Sequence, residues 1–197
     1  MSEEILDVAI PRGCSVDDRG RLLFPRGVVE AVVAGACREY VRYGVDPALD
    51  QEISGERVYF ATSGEAVTIL DYETKSFRPS TLVDLYDAAR LVDCLDNVHG
   101  YGQPFIATEH SGELFVHDLN AAYAALAGTR KPFSLSTANV DHVEPLIELF
   151  DLVAGGPGRF LERPFASIGG CPIVSPLRFG RENAEVLVAV ARLGLVA

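Results

Sequence analysis

PFSLSTANVDHVEPLIELFDLVAGG, residues 132–156, holds the pattern that decides the fold class. Pro132-Phe133-Ser134-Leu135 is a short apolar run of β type, and Ser136 to Asn139 is polar. Val140, Val143, Leu146, Ile147, Phe150 and Val153 then recur at helical spacing, and Gly155-Gly156 closes the segment. A strand followed by an amphipathic helix is one unit of a parallel α/β protein.

The same unit repeats on either side from Glu56 onward. Upstream, Val58-Tyr59-Phe60-Ala61 and Ala66-Val67-Thr68-Ile69-Leu70 are β-type runs split by a turn at Ser63-Gly64. A helix follows from the Thr81/Asp84 start signal, with Leu82, Leu85, Ala89 and Val92 on one face and its end at Asn97 to Gly102. Pro104-Phe105-Ile106-Ala107 opens the next unit. Its helix is predicted to start at Asp118, to face Leu119, Ala122, Tyr123 and Leu126 inward, and to stop at Gly128. Downstream, Phe165-Ala166-Ser167-Ile168 leads through a loop at Gly170 to Phe179 into a helix carrying Ala184, Leu187, Val190 and Leu193.

Four units imply about half of a TIM (β/α)8 barrel, because a complete one takes ~250 residues and eight strands. Two open parallel edges are then expected. Leu195-Val196-Ala197 reads as the opening of a fifth strand, so a missing half or a partner chain is expected to complete the pattern. Residues 1–55 differ. A β-like pair around Gly20 to Phe24 and a helix over Val28 to Tyr40 make an N-terminal α/β elaboration, expected to pack on residues 56–197 as one fold unit.

The composition, 48% hydrophobic and 23% charged, is that of a globular domain. A net charge of −11 repels phosphate backbones, which argues against nucleic acid; it suits a cationic small molecule by weak long-range attraction, but is more simply a route to solubility. No apolar run approaches the ~20 residues of a membrane-spanning helix. Met1 to Asp7 is acidic and lacks an apolar leader pattern, so a cytoplasmic location is expected. Cys14, Cys37, Cys94 and Cys171 contain no C-x-x-C pair and are read as reduced thiols, not as a zinc site. Gly155-Gly156-Pro157-Gly158 follows a helix and lacks the Lys of a phosphate loop, so it is read as a turn. Metal hydrolase and serine hydrolase signatures do not occur.

In a barrel of this kind the chemistry sits at the C-terminal strand ends. Those loops are Ser63 to Glu65, Glu109 to Ser111, Ser136 to Asn139 and Gly169 to Ser175. Glu109 and His110 could face a bound cation or orient a carboxylate, or form a solvated loop pair. Ser136 and Asn139 end the third strand, with helix capping the alternative for Asn139. Ser175 lies in the fourth loop. Cys171 has no His at nucleophile-base spacing. Catalytic residues are not identified from the sequence.

Several unusual words occur here in one order: GCSVDDRGRLLFP at 13–25, TSGEAVTILD at 62–71, RPSTLVDLYDAARLVDCLDNVH at 78–99, PFIA at 104–107 and CPIVSPLRFGRENAEVL at 171–187. In these the chain resembles the trimethylamine methyltransferase family over nearly its whole length. The resemblance implies a TIM barrel that holds a methylated amine, trimethylamine or a quaternary amine such as glycine betaine, and presents a methyl group to the cobalt of a corrinoid (cobalamin) carried by a partner protein. No cofactor is bound directly in that reading. It also draws Asn97 and His99 into view as substrate-binding candidates, although barrel geometry puts them at the opposite end from the chemistry. Family members continue through a second half, where the trimethylamine enzymes carry pyrrolysine. Activity as one half of a split enzyme is therefore weighed against a non-catalytic interaction module that assembles with itself or with a complementary half-barrel through its open edges.

Overall fold

A computed structural model describes residues 3–195. In chain order the elements are α1 (Glu3–Ala9), β1 (Ser15–Val16), β2 (Leu22–Leu23), α2 (Arg26–Gly35), β3 (Tyr40–Arg42), β4 (Gln51–Ile53), β5 (Thr68–Leu70), β6 (Phe77–Pro79) and α3 (Leu82–Cys94). There follow β7 (Tyr101–Gly102), α4 (Leu114–Gly128), β8 (Phe133–Ser136), α5 (Val143–Ala154), α6 (Arg159–Glu162), β9 (Ala166–Gly169), β10 (Ile173–Val174), β11 (Arg178–Phe179) and α7 (Arg181–Arg192).

The centre is a parallel sheet in the order β7-β8-β9, extended by single parallel bridges from Ala61 to Gly100 and from Ala66 to Phe105. Four antiparallel hairpins, β1-β2, β3-β4, β5-β6 and β10-β11, surround it. The molecule is thus mixed α/β with small sheets, and the described residues form no closed barrel.

Alternation along β8 and β9 separates two faces. Phe133, Leu135, Ala166 and Ile168 are buried against the helices, while Ser134, Ser136, Ser167 and Gly169 point to the other side and are half-buried. On the helix side, Ala89 and Val92 of α3, Ala122 and Ala125 of α4, Leu146 and Phe150 of α5, and Val186 and Val190 of α7 complete one core. Phe133, Phe150, Phe160 and Phe165 form its centre, with ring centroids 4.9 to 5.9 Å apart. The second face of α7, Ala184 and Val188, packs on Ile5 of α1.

Helix α3 starts where the sequence places it. Thr81 Oγ1 accepts from Asp84 N at 3.4 Å, and Thr81 N donates to Asp84 Oδ2 at 2.8 Å, a complete capping box. Arg78 grips the same carboxylate with two N–H groups at 2.7 and 2.8 Å, which holds the Asp84 carboxyl down at about 2. Thr81→Ala is expected to cost about 1 kcal/mol, read as a shift of the urea midpoint at unchanged slope.

Elsewhere the elements depart from the sequence reading. The run at 66–70 meets the parallel sheet only through Ala66, which bridges Phe105: Thr68–Leu70 instead pairs antiparallel with Phe77–Pro79, because the Asp71 carboxylate collects the N–H groups of Glu73 and Thr74 and folds the chain back. Of Val58 to Ala61, only Ala61 makes a bridge. The second parallel strand is Tyr101–Gly102, ahead of the expected 104–107, where only Phe105 bridges, so part of the segment read as a helix end is the strand itself. Helix α4 begins at Leu114, a turn before Asp118, and buries Ala121, Ala122, Ala124 and Ala125. Its apolar composition leaves the phase ambiguous, and Tyr123 turns outward, as do Val153 and Leu193 on their helices. Helix α2 ends at Gly35, not Tyr40, and none of its residues is buried. The N-terminal segment instead meets the core through Tyr43 and Val45 and meets α7 through α1. Of the expected fifth strand, Leu195 is buried, and Val196 and Ala197 lie outside the described residues.

Candidate functional site

The small side chains on the open face of the parallel sheet border a cavity of about 670 Å³. Ser134 and Ser136 of β8, Ser167 and Gly169 of β9, and Gly102 at the end of β7 form its floor. Gly102 is required there: a Cβ would stand 2.2 Å from the Thr62 carbonyl oxygen. The C-terminal strand ends supply Ser63, Gly64, Glu65, Gln103, Gly170 and Cys171. Loop 169–180 is tied down by Asn183, whose Nδ2 donates to the Cys171 carbonyl at 3.0 Å. From the N-terminal segment, Tyr40 and Arg42 reach the same space.

Two charged side chains line the cavity, Glu65 and Arg42, and neither makes an ion pair or a side-chain hydrogen bond among the described residues. Arg42 also borders Pro132 and Pro164, at the strand starts, so it sits at the end away from Glu65. Gln103 is 5% exposed; its Nε2 donates to the Phe105 carbonyl at 3.1 Å, and its Oε1 has no partner.

Of the residues singled out from the sequence, Ser136 lies in the cavity wall. Glu109 serves the neighbouring helix instead, accepting from Leu82 N at 2.8 Å in the first turn of α3. His110 is part of the short turn Thr108–His110 ahead of α4. Asn139 caps the turn Val140–His142, its side chain accepting from Asp141 N at 3.0 Å. Ser175 is exposed in the β10-β11 connection. Asn97 and His99 precede β7, at the far end of the sheet. There His99 Nδ1 accepts from Phe60 N at 3.0 Å, and its carbonyl accepts from Gln51 Nε2. The seven therefore do not converge.

What does converge beside the strand ends was hidden in the sequence. Asp118, 3% exposed, receives His117 Nδ1 at 3.0 Å on one oxygen, and Thr137 Oγ1, Ala138 N and His142 Nδ1 at 2.7 to 2.9 Å on the other. Burial pushes this carboxyl up, but the hydrogen bonds from His117, His142, Ala138 and Thr137 outweigh it and leave it below the ordinary aspartate range. Both imidazoles carry a proton on Nδ1 to donate to this carboxylate. The cluster joins α4 to the loop that follows β8 and carries Ser136 to its position in the wall.

The family model for trimethylamine methyltransferase (MTTB) matches residues 1–197. The chain belongs to the trimethylamine methyltransferase family. Within that family it is 28% identical over 196 residues to trimethylamine methyltransferase MttB of Desulfitobacterium hafniense (strain DSM 10664 / DCB-2), covering 98% of this chain and 39% of that protein. The protein of the same name from Methanosarcina thermophila is 25% identical over 193 residues, which is 93% of this chain and 38% of that one. Glycine betaine methyltransferase of Desulfitobacterium hafniense (strain Y51) is 23% identical over 192 residues, 98% of this chain and 39% of that protein. The chain therefore spans about two fifths of the length of these family relatives.

Proposed function

We propose that this chain forms the first half of a (β/α)8 barrel that transfers a methyl group from a methylated amine, trimethylamine or a quaternary amine such as glycine betaine, to a corrinoid protein. The observation that carries the reading is the cavity at the C-terminal ends of consecutive parallel strands, lined by small polar residues and one unpaired carboxylate, in a chain of this family. A methylated ammonium needs little hydrogen bonding, and a negative field suffices to hold it. The work of these residues is positioning: the amine is held with one methyl group facing the open mouth. A corrinoid on the partner would supply the nucleophile, so that a bond to the methyl carbon would form as the C–N bond of the ammonium breaks and the amine would leave with that bond's electron pair.

The remaining barrel would come from residues beyond those described, whether in the same polypeptide, a complementary half-barrel chain or a second copy, since β9 pairs with β8 along one edge and its other edge has no strand among the described residues. Should that pairing be the whole role, the chain is an interaction module instead. No helix of the described residues is long and apolar enough to cross a membrane, and a cytoplasmic site of action fits the proposed chemistry.

The test supplies trimethylamine or glycine betaine together with reduced corrinoid protein and a barrel-completing chain, and follows methylation of the corrinoid by its visible spectrum. Spectral change that requires both the amine and this chain is the expected result. Demethylation that ignores the corrinoid protein, or none with either amine, would overturn it.

A further inference from the structure

Glu65 combines three properties that a surface glutamate rarely shares. It lines the cavity at the C-terminal strand ends; its carboxylate has no partner among the described residues; and its backbone is left-handed, with φ at 52°, in a residue other than glycine. The strain is maintained by the neighbouring strand, for Glu65 N donates to the Gln103 carbonyl and Ala66 N to the Pro104 carbonyl, at 3.3 and 2.8 Å. Gly64, with φ at 144°, supplies the turn just before it. Strained backbone at a pocket, imposed by its surroundings, marks a side chain whose direction matters more than its stability.

We propose that Glu65 is the ammonium-binding residue of the cavity, its carboxylate facing the cationic head of the ligand; this rests on the amine-binding reading above. Glu65 is the sole acid in the cavity wall among the described residues, and the wall's one cation, Arg42, is at the strand starts. The length of β8 separates the two ends by roughly 10 Å at ~3.3 Å per residue. A small ammonium at Glu65 is thus clear of the repulsion from Arg42, in a wall that is otherwise uncharged and includes Ser63, Gly64, Gln103, Cys171 and Pro172. A single negative charge without a competing protein cation selects for charge on the ligand, not for N–H groups.

Isothermal titration of the full chain with tetramethylammonium chloride, and with uncharged 3,3-dimethylbutan-1-ol as a control of similar bulk, tests this. Tetramethylammonium is expected to bind and the alcohol not. Glu65→Gln should weaken the ammonium about ten-fold or more, with Glu65→Asp retaining part of the affinity. Glu65→Gly gives the distinguishing readout: relief of the left-handed strain should raise the melting temperature while binding falls, opposite signs that a merely structural residue would not give. Equal binding of cation and alcohol, absence of ammonium binding, or an unchanged affinity in Glu65→Gln would overturn the proposal. Charge-selective binding that depends on Glu65 without methyl transfer would keep this subsite and sink the methyltransferase reading. Methyl transfer with full affinity in Glu65→Gln would do the reverse.

Discussion

Replacing Asp118 by alanine is expected to lower the unfolding free energy by about 3–5 kcal/mol, because it removes the shared acceptor of a buried cluster and strands the imidazole and amide donors around it, while the Thr137 hydroxyl keeps the Asn139 carbonyl at 3.3 Å. The imidazoles of His117 and His142, the Thr137 hydroxyl and the Ala138 N–H all converge on this one carboxylate. His117 Nε2 is itself buried without a partner among the described residues, so this imidazole is held through Nδ1 alone. Asp118→Asn keeps the shape and one acceptor oxygen and should cost less than alanine. Urea denaturation at pH 7 measures the difference. The pH dependence follows from the sign of the shift. The folded carboxyl lies below its ordinary value, so its contribution is complete above the ordinary aspartate range and is lost as pH falls through the lower folded value. The stability gap between the native chain and Asp118→Asn should therefore narrow on acidification; a gap constant from pH 7 to pH 3 would show that charge plays no part.

Asp118 also shows why part of this molecule was legible in the sequence and part was not. As a polar residue ahead of an apolar run it reads as a helix opener, and local pattern gives no hint that two histidines, one adjacent and one 24 residues on, satisfy it in the interior. The parallel units at 132–154 and 165–192 were readable because apolar alternation and helical spacing follow directly from which face is buried. The first two strands were less so. Val58 and Phe60 are apolar yet exposed, and the turn closed by Asp71 diverts the run at 68–70 into a hairpin. Tyr101, fully buried on a two-residue strand, reads as a helix terminus beside Gly100 and Gly102.

The site followed the same division. Loops at strand ends could be located from the order of units, which brings Ser136 and the segment with Glu65 to one cavity. Which polar residue in each loop faces inward depends on φ angles and on strand register. Glu109 and Asn139 were drawn away from the cavity by unpaired backbone N–H groups at nearby helical turns, a demand that the strand pattern does not display.

Lys131→Met is the second substitution with a large expected effect, about 3–4 kcal/mol. Lys131 is 6% exposed, and its ammonium donates to the carbonyls of Val92, Leu95 and Val98, each at 2.7 Å. One cation thus serves the last turn of α3 and the connection that delivers the chain to β7, and it sits at the negative end of the helix dipole. Methionine fills the space of the stem but donates nothing, so three hydrogen bonds from a charged group are lost in the interior. Val92 and Leu95 keep local partners, since their carbonyls also accept from Leu95 N and Val98 N at 3.2 and 3.1 Å; among the described residues no backbone partner replaces Lys131 at Val98. The damage should therefore concentrate between Leu95 and Tyr101, seen as faster amide exchange there than in α5. Because β7 leads directly into Gly102 and Gln103 of the cavity wall, weakened ammonium binding should accompany the exchange. Exchange accelerated uniformly along the chain, with ammonium affinity intact, would instead make Lys131 a general contributor to stability with no hold on the site.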